Sequence, residues 1–237
     1  MEKLVYVIWD RPSLEGGELR VRYSGTVVPE LLGAGARKVS LHLDDDLAPI
    51  AGPAPCPGGE LPYRAVVSLW LDAHDDRAAV ESVLDGLGVR RAGYLVSEAE
   101  FGSGDQQGDH HGDPVPGKRS PGISTVALVH RNPRFDPRTF REFWYDHQSP
   151  MSGEVQPRVH YVRNSVVHPV TRGAPPIDGI VMECWPDIEV VSDPIEFHGG
   201  AEVGEENLTV MLDSVTQLFD LSSLRSLAMS EYLFEPL

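Results

Sequence analysis

Apolar residues fall in short blocks along the chain, some alternating with period two and others recurring at helical spacing. Residues 3–9 (KLVYVIW) are apolar on both faces and predict a central strand. Residues 10–18 hold Pro12, Gly16 and Gly17 and read as a turn. Leu19, Tyr23, Val27, Leu31 and Leu32 then recur at helical spacing over 18–32, a helix that Pro29 should interrupt or restart. Strands follow at 37–43 and 63–71, separated by an acidic run and a Pro/Gly-rich loop over 44–62. Asp75 or Asp76 can cap a helix through Leu87 that turns Val80, Val83 and Leu84 inward. A strand at 92–100 completes a β-α-β-β-α-β series.

Residues 102–122 are dominated by glycine, proline and charge, with no apolar period, and read as a linker. The series then repeats. Strands are expected at 123–130, 158–167, 178–185 and 226–234. Asp136 and Pro137 form an N-cap and first-turn pair for a helix to about His147. Glu205, Glu206 and Asn207 open a helix to about Leu221.

The two halves align with Pro29 on Pro150, which sets Leu19 on Phe140, Tyr23 on Trp144, Arg37 on Arg158 and Leu41 on Val162. The expected class is therefore α+β. Residues 1–101 and 123–237 form two ferredoxin-like units, the first degenerate, joined by the 102–122 linker. One such sheet leaves an apolar face bare, and a second sheet can cover it. The expected result is an intrachain pseudo-dimer, barrel-like, with helices outside and a cavity between the sheets. An edge strand left open in either sheet would invite a second chain, as a homodimer.

Composition narrows the function. The formal charge of −16 opposes binding to nucleic acid or an anionic membrane surface. No apolar run reaches the roughly 18 residues of a membrane span, and MEKLVYVIWD reads as a strand rather than a signal peptide, so a cytoplasmic location is expected. Two cysteines, Cys56 and Cys184, make neither a disulfide framework nor a metal site. The His110-His111 pair in the linker supplies too few ligands of fixed geometry, and no metal is expected. No phosphate-cradling loop, nucleotide fingerprint or Ser-His-Asp order is present, which leaves cofactor-free chemistry or simple binding.

The stretch FREFWYDHQSP, with Phe140, Trp144 and Pro150, is followed by PRVHYVRNSVV and by Asp178-Gly179 and Trp185 in DGIVMECW. In these residues the second half resembles an EthD domain of the dimeric α/β-barrel superfamily, and the first half resembles a degenerate copy. The usual family pattern, Trp-x3-His-x-Pro, places Gln148 at the histidine position, with His147 one residue earlier. Either the helix is wound differently there and His147 substitutes, or the family histidine is absent. The resemblance implies a small-molecule role. Relatives include a protein encoded with an ether-degrading oxygenase system and cofactor-free dehydratases or decarboxylases of polyketide pathways.

Among individual residues, His147 beside Asp146 is an acid/base candidate because histidine titrates near neutrality. Along the strand at 158–167, Tyr161, Arg163 and Ser165 share one face, and His160, Val162 and Asn164 share the other. Tyr161 can donate to a carbonyl oxygen. Glu183, between Met182 and Cys184, requires a cationic partner or carries a raised pKa, and Arg163 is the natural partner. The catalytic set is therefore His147, Glu183, Tyr161 and Arg163. Trp144, Gln148, Asn164, His160 and Trp185 form the binding set, although the tryptophans read first as core. The counterparts of this chemistry in the first half are mostly apolar, so one cavity is expected, in the second half. The expected function is proton transfer on a small hydrophobic carbonyl-bearing or aromatic molecule, of lyase or isomerase type. The alternatives are a non-catalytic accessory or metabolite-binding protein, and heme binding through His147 or His160.

Overall fold

The computed structural model describes residues 1–58, 60–102 and 115–235; His110 and His111 fall outside the described residues. The strands are β1 (Glu2–Trp9), β2 (Lys38–Leu43), β3 (Ala65–Leu71), β4 (Arg90–Gly102), β5 (Ile123–Val129), β6 (His160–Pro169), β7 (Gly179–Trp185) and β8 (Arg225–Phe234). They close a barrel in the order β1-β3-β2-β8-β5-β7-β6-β4, antiparallel at every pairing. Each half-chain fills four adjacent places in the same relative order, and two seams, β2 with β8 and β4 with β6, join the halves. Closure gives every strand of the ring a neighbour on both sides. It leaves no open edge in the ring through which a second chain could add a strand.

Period-two alternation sends one side chain of each pair inward. Val5, Val7, Tyr63, Val66, Val126, Val162, Ile180, Met182 and Met229 pack the interior. The expected cavity between the sheets is therefore core, because these residues are large enough to meet across a narrow barrel.

The helices lie outside. α1 (Gly16–Arg22) passes through a π-turn (Tyr23–Val27) into α2 (Val28–Gly33). α4 (Pro137–Phe143) does the same through Trp144–Gln148 into α5 (Ser149–Val155). In each case the residue after the π-turn bonds back five residues, Val28 to Tyr23 and Ser149 to Trp144. The widened turn lets Pro29 and Pro150 enter the next helical segment without a break. The helix expected to stop near His147 thus continues to Val155. Asp136 caps α4 as expected, accepting from the Arg138 and Thr139 amides at 2.9 and 3.1 Å. α3 (Ala78–Asp85) follows a 3-10 turn at His74–Arg77, so Asp75 and Asp76 lie inside that turn rather than capping it. Residues 186–203, left without elements by the sequence pattern, form α6 (Ile188–Ser192) and a 3-10 turn at Glu196–His198 ahead of α7 (Gly204–Leu218). No helix among the described residues is long and apolar enough to cross a membrane.

One further segment ties the halves together beyond the seams. The loop before β3 lays Gly52 on β8, where a Cβ would sit 2.1 Å from the Ser226 carbonyl oxygen. Ala54 bridges to Ser226. Residues 117–120 run beside β8, with the Gly117 and Ser120 amides each donating at 2.7 Å, to the Leu233 and Glu231 carbonyls.

At the β2–β8 seam His42 opposes Glu231, buried, with Nε2 3.6 Å from a Glu231 oxygen and neither ring nitrogen hydrogen-bonded among the described residues. Burial holds the imidazole below its ordinary 6.5, with Glu231 opposing and Lys3 and His160 assisting. The unfolded chain therefore binds this proton more readily, and the contribution is lost as pH falls from 6.5 through the folded value. His42→Leu is expected to flatten that acid limb in urea denaturation followed against pH. An unchanged limb would show that His42 does not set it.

Candidate functional site

In the first half the outer sheet face and its helices interlock. Leu4, Tyr6 and Ile8 of β1 meet Leu19, Tyr23, Val27 and Leu31 in one buried cluster. In the second half the corresponding layer stays partly open. A cavity of about 500 Å³ lies between the outer faces of β5, β6 and β7 and the Trp144–Gln148 turn, α5, α6 and α7. Its apolar wall includes Trp144, Val181, Met211, Val215 and Phe219. Its polar members include Gln148, Ser152, Tyr161, Glu183 and His198. Pro53 and Ala54 reach it from the first half.

Trp144 follows from a glycine. A Cβ on Gly179 would lie 2.3 Å from Trp144 Cη2, so only the bare backbone lets the indole approach β7 this closely. Phe219 meets the same ring edge-on at 5.9 Å. The preceding Asp178 accepts from the Arg131 amide at 2.8 Å and forms an ion pair with its guanidinium, which anchors the start of β7.

The π-turn decides which side chain at its end faces inward. Gln148 is buried in the cavity wall, accepting from Ser214 Oγ through Oε1 and directing Nε2 to Met211 Sδ at 3.3 Å. His147 is turned to the exposed side, beside the Phe143 ring. The structure does not bring His147 to the cavity.

On β6 the odd-numbered residues point outward, beneath the helices. Tyr161 lines the cavity, with its hydroxyl 3.2 Å from Ser149 Oγ. Arg163 donates to Ser149 Oγ at 2.8 Å and stacks 3.7 Å over the Tyr145 ring, which places its charge behind Tyr161. Glu183 opposes Tyr161 across the β6–β7 pairing. The cation beside it is Arg158, at 3.1 Å, and not Arg163. Arg158 also donates to Ser152 Oγ at 2.7 Å and to the Ser149 carbonyl at 3.1 Å, and lies 4.0 Å over the Tyr161 ring. Among the described residues the second Glu183 oxygen meets only the long 3.5 Å contact from Thr125 Oγ1. Burial raises the Glu183 carboxyl above 4.5, with Arg158 opposing. Burial likewise raises the Tyr161 phenol and depresses the Arg163 guanidinium.

The remaining expected residues lie elsewhere. His160 pairs with Glu100 at 2.8 Å, and Asn164 donates to the Ile180 carbonyl at 3.0 Å, both on the barrel-facing side of β6. Trp185 is buried behind the cavity, donating to Thr125 Oγ1 at 2.9 Å and stacking on Phe197 at 4.1 Å. The sequence reading missed Arg158, Ser149, Ser152 and His198. Arg158 was visible as the repeat partner of Arg37, whose surface ion pair with Asp72 suggests nothing chemical. No signal distinguished His198, because the segment carrying it has no period. Among the described residues no group of three or more His, Cys, Asp or Glu could hold a metal ion.

No protein-family model matches the chain, and no curated protein matches it in sequence. Solved structures do. An anthrone oxidase-like protein superposes with TM-score 0.60 at 12% identity, covering 98% of this chain and 92% of that one. A Fusobacterium nucleatum protein carrying the name monooxygenase gives TM-score 0.51 at 8% identity, covering 99% and 94%. The fold is that of the dimeric α/β barrels. The helix-side cavity described above is carried by this fold.

Gly179→Ala is expected to displace the Trp144 ring. We expect a loss of about 1–3 kcal/mol in urea denaturation, with altered tryptophan emission. Wild-type stability and emission together would show that the ring has room to move.

A second expectation concerns charge. Because the folded chain holds the Glu183 proton more tightly than the unfolded chain, this group costs stability as pH rises from 4.5 through its folded value. Arg158→Met is expected to raise that folded value further. Carboxyl 13C NMR titration, with Glu183→Gln assigning the signal, reads the direction, and a lower value in Arg158→Met would contradict the ion pair.

Proposed function

We propose that the chain is a tandem of two EthD-like ferredoxin-type units, whose second unit binds a small hydrophobic carbonyl compound and moves a proton on it. The observation that carries this reading is Glu183: a buried carboxylate in a largely apolar cavity wall, opposite Tyr161, with one oxygen paired to Arg158 and the other at 3.5 Å from Thr125 Oγ1, and with its pKa raised by burial. A buried carboxylate is a stronger base than one in water, which suits abstraction of a weakly acidic C–H proton. Tyr161 is the donor to the developing enolate oxygen. Its hydroxyl is within hydrogen-bond distance of Ser149, which in turn accepts from Arg163. Arg158 beside Glu183 and Arg163 behind Ser149 bring guanidinium groups near this end of the cavity, where they favour a developing oxyanion.

The apolar wall and the 500 Å³ volume suit an aromatic ketone. A structural neighbour whose name refers to anthrone, a polycyclic aromatic ketone, agrees with that ligand class. The second reading, a binding protein without catalysis, is favoured by the Arg158–Glu183 ion pair, since paired carboxylates are often structural.

The test is deuterium exchange into 2-tetralone in D2O, followed by NMR. The native chain should accelerate exchange, and Glu183→Gln should lower the rate by about 10²–10⁴-fold. Exchange unaffected by Glu183→Gln would remove Glu183 as the base. Saturable binding of the ketone without accelerated exchange would favour the binding protein.

A further inference from the structure

We infer that Ser149 is a positioning residue that turns the Tyr161 O–H toward the ligand, so that the cavity selects an oxyanion, an enolate or a phenolate, over a neutral compound of the same shape. The inference rests on the reading of Tyr161 as the donor of this cavity, and not on Glu183 as the base.

Three side chains stand in series at this wall. Tyr161 lines the cavity, and Ser149 and Arg163 are buried behind it. Arg163 is held among aromatic rings: its guanidinium lies 3.7 Å from the Tyr145 ring centre, 5.4 Å from that of Phe101 and 5.8 Å from that of Trp144. Tyr145 is itself fixed, its hydroxyl donating to Ser165 Oγ at 2.6 Å. Ser149 is fixed from the helix side. Its amide donates to the Trp144 carbonyl across the π-turn. Its own carbonyl accepts from Ser152 Oγ and from Arg158, each at 3.1 Å.

The direction of the series follows from what each group can do. A guanidinium has donors only, so Ser149 Oγ is the acceptor in its 2.8 Å contact with Arg163. The single Ser149 proton is then left for the Tyr161 oxygen, 3.2 Å away. Accepting from a cation also polarises a hydroxyl, which makes it a stronger donor and a weaker acceptor. Tyr161 therefore receives a hydrogen bond from Ser149, and its own proton is left for the cavity. Arg158, 4.0 Å over the Tyr161 ring, draws charge from the phenol and acts the same way. Burial raises the Tyr161 phenol, and the Ser149 hydrogen bond opposes that shift, as a donor to the phenol oxygen does. An O–H polarised in this way bonds most strongly to an oxygen that carries charge.

The test compares two ligands of one shape with the full chain by isothermal titration calorimetry. They are 4-nitrophenolate, at a pH where free 4-nitrophenol is ionised, and nitrobenzene. Ser149→Ala should weaken phenolate binding about 10-fold and change nitrobenzene binding by less than about 2-fold. Tyr161→Phe should weaken phenolate binding at least as much, and adding Ser149→Ala to it should cost nothing further. The sign is decisive. If Tyr161 instead donates to Ser149, removing the serine frees the phenol proton and phenolate binds more tightly. Tighter or unchanged phenolate binding in Ser149→Ala overturns the inference. Equal weakening of both ligands also overturns it, since that is the mark of a structural role, and so does a further loss in the double variant. A native chain that binds neither ligand overturns the inference together with the cavity's ligand class. A selective loss in Ser149→Ala, in a chain whose ketone exchange ignores Glu183→Gln, upholds the inference and removes only the base.

Discussion

Closure of the barrel is the constraint from which the rest of this structure follows. Strands must pair on both sides or expose backbone donors and acceptors, and here the edges of each half-chain sheet are satisfied by the other half. The ring is narrow, so one face of every strand is committed to a packed interior. A ligand cavity of useful size can then form only on the outer face, beneath the helices. That is where the cavity of the second half lies.

The two halves solve the same packing problem differently. In the first, Tyr23 hydrogen-bonds Asp10 at 2.9 Å, and the helix rests on the sheet through a continuous apolar layer. In the second, Trp144 is drawn onto β7 by the absence of a side chain at Gly179, and the residues beyond it do not fill the space to α7. Unfilled volume forfeits dispersion contacts and lowers stability. A filled first half provides a rigid support for an open second one. The covalent link between them means that each chain carries its own support.

Electrostatics in the cavity follow from the same asymmetry. Tyr161, Arg163 and Glu183 lie on the outer face because strand alternation places them there, and each would be costly in an apolar layer if left alone. Arg158 is therefore an integral member. It pairs with Glu183, covers the Tyr161 ring and ties the first turn of α5 to the start of β6 through Ser149 and Ser152. The ion pair permits the carboxylate to be buried, and the burial makes it basic.

Much of the fold was legible because it depends on local pattern. The positions of the strands follow from period-two alternation, and the Asp136 cap follows from side-chain chemistry at one residue. The cavity residues Trp144, Gln148, Tyr161 and Glu183 were also identifiable, from the motif and from polar groups interrupting an apolar strand. What required the tertiary structure was every choice between two faces or two partners. A π-turn adds one residue to a helical turn, and so decided that Gln148 faces inward and His147 outward. Strand register decided that Asn164 and His160 face the barrel side and that Arg158 lies against Glu183. The sequence by itself determined which segments are strands and which half keeps polar chemistry, since both are properties of neighbouring residues. Only the closed barrel decided where the cavity lies and which residues meet in it. Those depend on contacts between segments far apart in the chain, and no local period records them.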